Sequence, residues 1–239
     1  MKKFVTTLLA LLLTVALAVG FTACKDEENE GYNEVTEEVW KSALNLFSGD
    51  PAKINTDDLN LTVNLKDEAN GETYNATLKY DYTNKAYCCS GDDVEYAWVE
   101  GDVLYFYMED TYNGVTYKSK EVQDSTYLEF VAEELTDNTV LGAVVDVDSH
   151  NLINRYSACT YNADSGCYIY TFNDTEEDWE TGKEIEFTVD VKIYFSGEKV
   201  AKLEYLITGG YTENITETYT YGPTNVTIPD EVKNTPVSN

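Results

Sequence analysis

Only one histidine, His150, occurs in the 239 residues. A Ser-His-Asp arrangement therefore has one possible base, and no serine sits in a G-x-S-x-G turn. Basic residues are also scarce, 16 against 44 acidic ones, for a net charge of -28. Such a charge repels phosphate backbones and anionic head groups, which excludes nucleic acid as a partner. No C-x-x-C pair points to zinc or redox catalysis. No linker rich in Pro, Gly or Ser divides the chain, so one domain is expected, and no hydrophobic segment long enough for a membrane follows the first. Trp and Phe are few, at 3 and 8, while Tyr reaches 20. With 43% apolar residues this is a chain that can bury a core, biased toward strands and turns.

The apolar run itself is at the start. Met1-Lys2-Lys3 is a positive n-region, Phe4 to Phe21 is uncharged and apolar, and Phe21-Thr22-Ala23-Cys24 places small residues before a cysteine. This is the layout of a secretory signal. The stretch resembles the lipobox of bacterial lipoproteins, with Phe21 where Leu is usual. That resemblance implies lipidation at Cys24 and cleavage before it, with several acyl chains holding the protein stably on a membrane. A plain signal or an uncleaved anchor helix are the competing readings. Lys25-Asp26-Glu27-Glu28-Asn29-Glu30-Gly31 then reads as a solvated, self-repelling tether. It also resembles the surface-export signal of Bacteroidetes lipoproteins. Residues 1–23 are thus expected as signal peptide, 24–35 as lipidated cysteine and tether, 36–232 as a single β domain and 233–239 as a tail. The location expected is the cell membrane or outer membrane, on the extracytoplasmic side.

Beyond the tether, Thr36 is an N-cap for a helix to Phe47, with Glu37 and Glu38 in its first turn and Val35 stapled to Trp40. Leu59, Leu61, Val63 and Leu65 alternate with polar residues, as do Tyr74, Ala76, Leu78 and Tyr80 across Asn70-Gly71. Val94 to Trp98 and Val103 to Met108 flank Glu100-Gly101-Asp102, and Asn113-Gly114 marks the next turn. Ser125 to Leu135 predicts a second helix, and Val140 to Val147 fits a helix or a strand. Arg155 to Tyr161, Cys167 to Phe172, Ile185 to Phe195, Ala201 to Ile207 and Ile215 to Tyr221 predict further strands. Val226-Thr227-Ile228 reads as the last.

These pieces together resemble the lipoprotein-carrier superfamily of LolA/LolB-like and LppX/LprG-like proteins. The most specific segment is Tyr221-Gly222-Pro223-Thr224-Asn225-Val226-Thr227-Ile228-Pro229. The resemblance implies a mainly β (α+β) fold, an antiparallel incomplete β-barrel or strongly curved sheet covered on one side by an N-terminal and an inserted helix. It also implies a cavity for a lipid or another hydrophobic ligand. Ile185, Phe187, Val189, Val191, Ile193 and Phe195 would line that cavity or, equally, a packed core. The abundance of tyrosine points to a less greasy ligand. A cell-surface adhesin or glycan-binding module is the alternative, with a filled core and exposed tyrosines; Val103-Leu104-Tyr105-Phe106-Tyr107-Met108, apolar on both faces, keeps it open.

Catalytic, metal and cofactor residues are not expected, nor is a partner subunit. Asp146-Val147-Asp148-Ser149-His150-Asn151 starts like a calcium loop but lacks its glycine, and Ser157 stands where the bidentate Glu belongs. Asp174, Glu176, Glu177, Asp178 and Glu180 read as a solvated loop, and no carboxylate pair singles out a glycosidase. Cys88 and Cys89 point to opposite faces of a strand and do not pair. Cys159 and Cys167 flank a hairpin loop and would face each other were it centred on Ala163, which makes them the disulfide candidate; reduced thiols are the other state.

Overall fold

The computed structural model describes residues 31–69, 71–91, 94–112, 114–146, 151–178 and 183–238. The signal segment, Cys24, most of the tether, His150 and residues 147–149 and 179–182 lie outside them. Among the described residues no helix is long and apolar enough to cross a membrane.

Alternation of apolar and polar side chains builds two antiparallel meanders. The first is β1 (Asn60–Ala69), β2 (Glu72–Asp81), β3 (Ala86–Gly91), β4 (Val94–Glu100), β5 (Val103–Tyr112) and β6 (Val115–Gln123). The second is β7 (Thr160–Asn162), β8 (Cys167–Asp178), β9 (Lys183–Ser196), β10 (Lys199–Gly209) and β11 (Glu213–Tyr221). They join through their first and last strands, β1 against β11, with Val63 opposite Tyr219 and Leu65 opposite Glu217. The result is one sheet in the order β6-β5-β4-β3-β2-β1-β11-β10-β9-β8-β7. Its ends β6 and β7 do not pair, so the curved sheet is not closed into a barrel.

The inner face collects Leu61, Val63, Leu78, Tyr80, Tyr87, Ala97 and Phe106 from the first meander and Val189, Val191, Ile193, Phe195 and Leu203 from the second, all buried. Helices fill one end of it. In α1 (Glu37–Leu44), the Thr36 side chain accepts from Val39 N as the N-cap, and Trp40 packs on Tyr168 and Phe195 with centroids 5.2 and 5.6 Å apart. In α2 (Tyr127–Asp137), Thr126 and Glu129 form a capping box, and Phe130 lies against Tyr87 and Phe106. The segment that fitted helix or strand is α3 (Val140–Asp146). Gly142 lets it close on α2: a Cβ there would stand 2.5 Å from the carbonyl oxygen of Leu135.

Besides Cys167 and Tyr194, which pair across β8 and β9 and are buried, the outer face is apolar around β3–β6, where Ala86, Trp98 and Tyr107 are buried beneath Ile228 and Val232. This explains why β5 is apolar on both sides: Leu104 and Phe106 face the core, while Tyr105 and Tyr107 face a strap formed by the end of the chain.

Three sequence expectations are corrected. Val226-Thr227-Ile228 is not a strand. Gly222 N donates to Asn60 O at the end of β11, and the chain then leaves the ladder to cross the outer face. There Thr224 Oγ1 donates to Tyr80 O (2.7 Å) and Val226 N to Asp81 Oδ2 (3.3 Å), before the short α4 (Asp230–Lys233). Arg155 to Tyr161 is mostly not strand either. It follows a 3-10 turn at Leu152–Asn154 and forms another at Tyr156–Ala158, and only Thr160–Asn162 lies in the sheet. Helix α1 takes its polar partners instead: Trp40 Nε1 donates to Leu152 O (3.1 Å) and Tyr156 OH to Val35 O (2.8 Å). Third, Cys159 and Cys167 are not bridged, and no disulfide joins either of them to Cys88 or Cys89. The hairpin pairs Asn162 with Cys167 and Thr160 with Ile169, so its loop is not centred on Ala163 and that register sets the two cysteines out of line. Cys89 is buried inward and Cys88 lies half-buried on the opposite face, as their adjacency requires.

Candidate functional site: a half-exposed aromatic and acidic face

The helices pack on the rows of the inner face running through Leu61, Val63 and Leu65. Toward the other end of the strands the same face continues as two further rows. Register places Tyr74, Asp67, Ile215, Tyr205, Val191 and Tyr170 in one, and Ala69, Glu213, Ile207, Val189 and Phe172 in the next. Beyond these come Phe187 and Asp174, opposite each other on β9 and β8. Val189, Val191, Ile207 and Ile215 are buried, but the rings around them, Tyr74, Tyr170, Phe172, Phe187, Tyr205 and Tyr211, are half-buried. They form an aromatic apron. Tyr170 and Phe172 lie 5.6 Å apart, and Phe187 meets Tyr211 at 6.0 Å. Gly209, opposite Phe187, has φ +136° and closes on β9 where a Cβ would stand 2.6 Å from Glu186 O.

Carboxyl groups interrupt this apron. Asp67 continues the inward series Leu61, Val63, Leu65, and Glu213 stands inward on β11 with Ile215, Glu217 and Tyr219. The Asp67 and Glu213 carboxyls are hydrogen-bonded to each other, and burial pushes the Asp67 carboxyl above its ordinary range despite that contact. Asp67 Oδ1 is buried without a hydrogen-bond partner. Burial, and then the negative charges of Glu213 and Asp174, push the Tyr205 hydroxyl up to about 12.

Of the six residues read as cavity lining, Val189, Val191, Ile193 and Phe195 are fully buried among core side chains, with Trp40 on Phe195. Ile185 and Phe187 are half-buried at the apron end. Sequence reasoning missed Asp67, Glu213, Tyr74 and Tyr205 as one group. The available signal was a carboxylate at an inward position of each of two alternating strands, but only pairing β1 with β11 brings them together.

Two other carboxyls are buried under the helices. Glu217, fully buried, accepts from Val140 N (2.6 Å), Leu141 N (3.2 Å) and the Tyr219 hydroxyl. It ties the start of α3 to the sheet. Glu134 on α2 accepts from Asn138 Nδ2 (2.6 Å). Burial raises its carboxyl well above the ordinary range, the nearby Glu95 raises it further, and a hydrogen bond from Tyr87 opposes them. A carboxyl whose folded pKa is raised keeps its proton in the fold after the unfolded chain has lost it. Stability therefore falls as pH rises from the ordinary carboxylate range toward the folded value, with a slope approaching about 1.4 kcal/mol per pH unit. Glu134→Gln is expected to remove this slope and to be the more stable form at pH 7. Denaturant titrations of both proteins at pH 5 and pH 7 check it; a wild type that gains stability over that interval, with the variant less stable at pH 7, contradicts it.

Among the described residues no group of three or more His, Cys, Asp or Glu is placed to hold a metal ion. No family model matches the chain, and no curated protein matches it. Among solved structures it is similar to a LolA superfamily protein from Nitrosomonas europaea, at 10% identity and a TM-score of 0.27, over 83% of this chain and 97% of that one. At that overlap no residue role carries over.

Proposed function

We propose that this chain is a non-catalytic binding protein that holds a small hydrophobic ligand on the aromatic apron of its curved sheet. One observation carries the reading: six rings from β2, β8, β9, β10 and the β10–β11 turn stay half-exposed together on a face whose other end is filled by helices. Contiguous apolar surface left open on an otherwise polar protein marks a contact site. Membrane attachment through acyl chains on Cys24, with the domain facing the extracytoplasmic side, belongs to the same proposal.

The test is native mass spectrometry of protein extracted from its membrane. The expected result is a lipid-modified N-terminal cysteine and, on the domain, a bound apolar species that a Phe187→Ser, Tyr205→Ser double variant retains about tenfold more weakly, a loss of about 1.4 kcal/mol. A clean mass with no uptake from a lipid mixture overturns the ligand reading.

A second reading, a glycan-binding module, draws on the hydroxyls of Tyr74, opposite Asp67, and Tyr205, near Glu213 and Asp174, because sugars stack on rings and donate to acids. It predicts uptake of oligosaccharides and none of lipid.

A further inference from the structure

We propose that the aromatic apron takes up and gives off its hydrophobic ligand on the side away from the membrane that carries the protein, with a donor in water or on a facing surface. The inference rests on the apron being a ligand surface and on attachment through Cys24, and it adds where the exchange partner stands.

Residues 32–35 are bolted to one end of the sheet. Asn33 N donates to Phe195 O (2.9 Å), Asn33 Nδ2 donates to Gly197 O (3.1 Å), and Gly197 N donates to Asn33 Oδ1 (2.7 Å). The Tyr32 ring lies 4.9 Å from that of Tyr194, and Val35 O accepts from the hydroxyls of Tyr156 and Tyr168, both at 2.8 Å. These contacts gather at the β9–β10 turn. The apron is at the other end, where Phe187 pairs with Gly209 and Tyr211 stands in the β10–β11 turn. The tether therefore joins the domain at the far end of the strands that carry the apron.

Lengths then decide what the apron can reach. A strand rises about 3.3 Å per residue, so along β9 Phe187 lies about 26 Å from Phe195, and Lys183, where the strand begins, about 40 Å. Tyr32 follows Cys24 by eight residues, a stretch that spans at most about 29 Å when fully extended. An inverted domain would rest on its β8–β9 hairpin and lift the tether's attachment beyond that reach. Laid on its inner face, the domain would rest on α1, α2 and α3, a layer about 10 Å thick that holds the apron clear of the bilayer. Charge acts in the same direction. Glu72, Asp174, Glu184 and Glu186 are exposed around the apron end, and anionic head groups repel them. The orientation left is the one with the apron outward.

The test uses the full-length lipidated protein on vesicles of phosphatidylethanolamine and phosphatidylglycerol. A donor dye on Glu198→Cys or on Thr212→Cys, exposed turn positions at the two ends of β10, reports energy transfer to an acceptor dye in the head groups, with the unsubstituted protein as background. Transfer from Glu198→Cys is expected to exceed that from Thr212→Cys about threefold, given the strand length between them. Equal transfer, or more from Thr212→Cys, overturns the orientation and leaves the hydrophobic-ligand reading in place. A second measurement follows a pyrene-labelled diacylglycerol, offered on separate donor vesicles or as a soluble cyclodextrin complex. The anchored protein is expected to take it up, and the Phe187→Ser, Tyr205→Ser variant to hold it about tenfold more weakly. Uptake from vesicles alone identifies a facing membrane as the source, and uptake from the complex alone a soluble donor. Probe acquired only when it is placed in the protein's own bilayer overturns the inference. No uptake from any source overturns the ligand reading with it, and protein that washes off the vesicles overturns the anchoring on which both the reach and the orientation depend.

Discussion

Truncation after Pro223 is expected to give a protein that unfolds far more readily and self-associates. The strap that would be lost is short, but it is the sole cover among the described residues for a buried aromatic set on the outer face. Ile228 and Val232 bury against Ala86, Trp98 and Tyr107, and each such side chain contributes about 1.5–3 kcal/mol by leaving water. Hydrogen bonds go with them. Lys120 Nζ donates to Lys233 O (2.6 Å) while its charge sits over the Trp98 and Tyr105 rings. Ser238 N donates to Lys120 O (2.7 Å) on the edge strand β6. A loss of about 5 kcal/mol would consume much of the roughly 5–15 kcal/mol by which ordinary proteins are stable. The uncovered rings beside an unprotected edge strand would then offer a surface for association. Denaturant titration and light scattering after size exclusion read both effects. A truncated protein that is monomeric and unfolds at the wild-type midpoint would show the strap to be ornamental. Ile228→Ala tests the packing alone and should cost about 2–4 kcal/mol.

Replacing Glu217 by Ala is expected to be the most damaging single change under the helices. Its carboxylate is fully buried and takes three donors, Val140 N, Leu141 N and the Tyr219 hydroxyl. Alanine would leave all three unsatisfied in the core, at about 1–3 kcal/mol each, so a loss of about 4 kcal/mol follows. Glu217→Gln keeps one carbonyl oxygen and should cost about half as much. Because the contact holds α3 to β11, amide exchange should rise first in residues 140–146 and spread from there. Protection unchanged in α3, with a small stability loss, would mean that the helix is held by Leu141 and Val145 packing and that the carboxylate is a passenger.

Much of the fold was legible because its signals are local. Thr36 and Thr126 cap the helices they precede, and the caps need no tertiary partner to be recognised. Leu61 to Leu65 and Ile185 to Phe195 alternate because one side of a pleated strand faces a core, whatever that core contains. A mainly β chain of antiparallel meanders with a few helices follows from those patterns; the open, curved sheet with helices on one side was what the resemblance implied. Val140–Asp146 was ambiguous because its apolar run fits either element; what settles it lies far away in sequence, in Glu217 and in the contact that Gly142 permits. The same remoteness misplaced Val226–Ile228. Three β-branched or small polar residues in an extended conformation look alike whether they pair in a ladder or lie across a sheet face.

The sequence by itself determined the acidic charge, the strand and helix inventory, and the burial side of the long strands. These depend on side-chain type and spacing alone. Only the tertiary structure decided which row of the inner face is filled and which stays half-open. It also decided that Asp67 and Glu213, far apart along the chain, are diagonal neighbours on one face, and that the chain's end covers β5 from outside. The reason is physical: each of these depends on which strand neighbours which, and pairing the first strand of one meander with the last of the other is a long-range choice that no local pattern records.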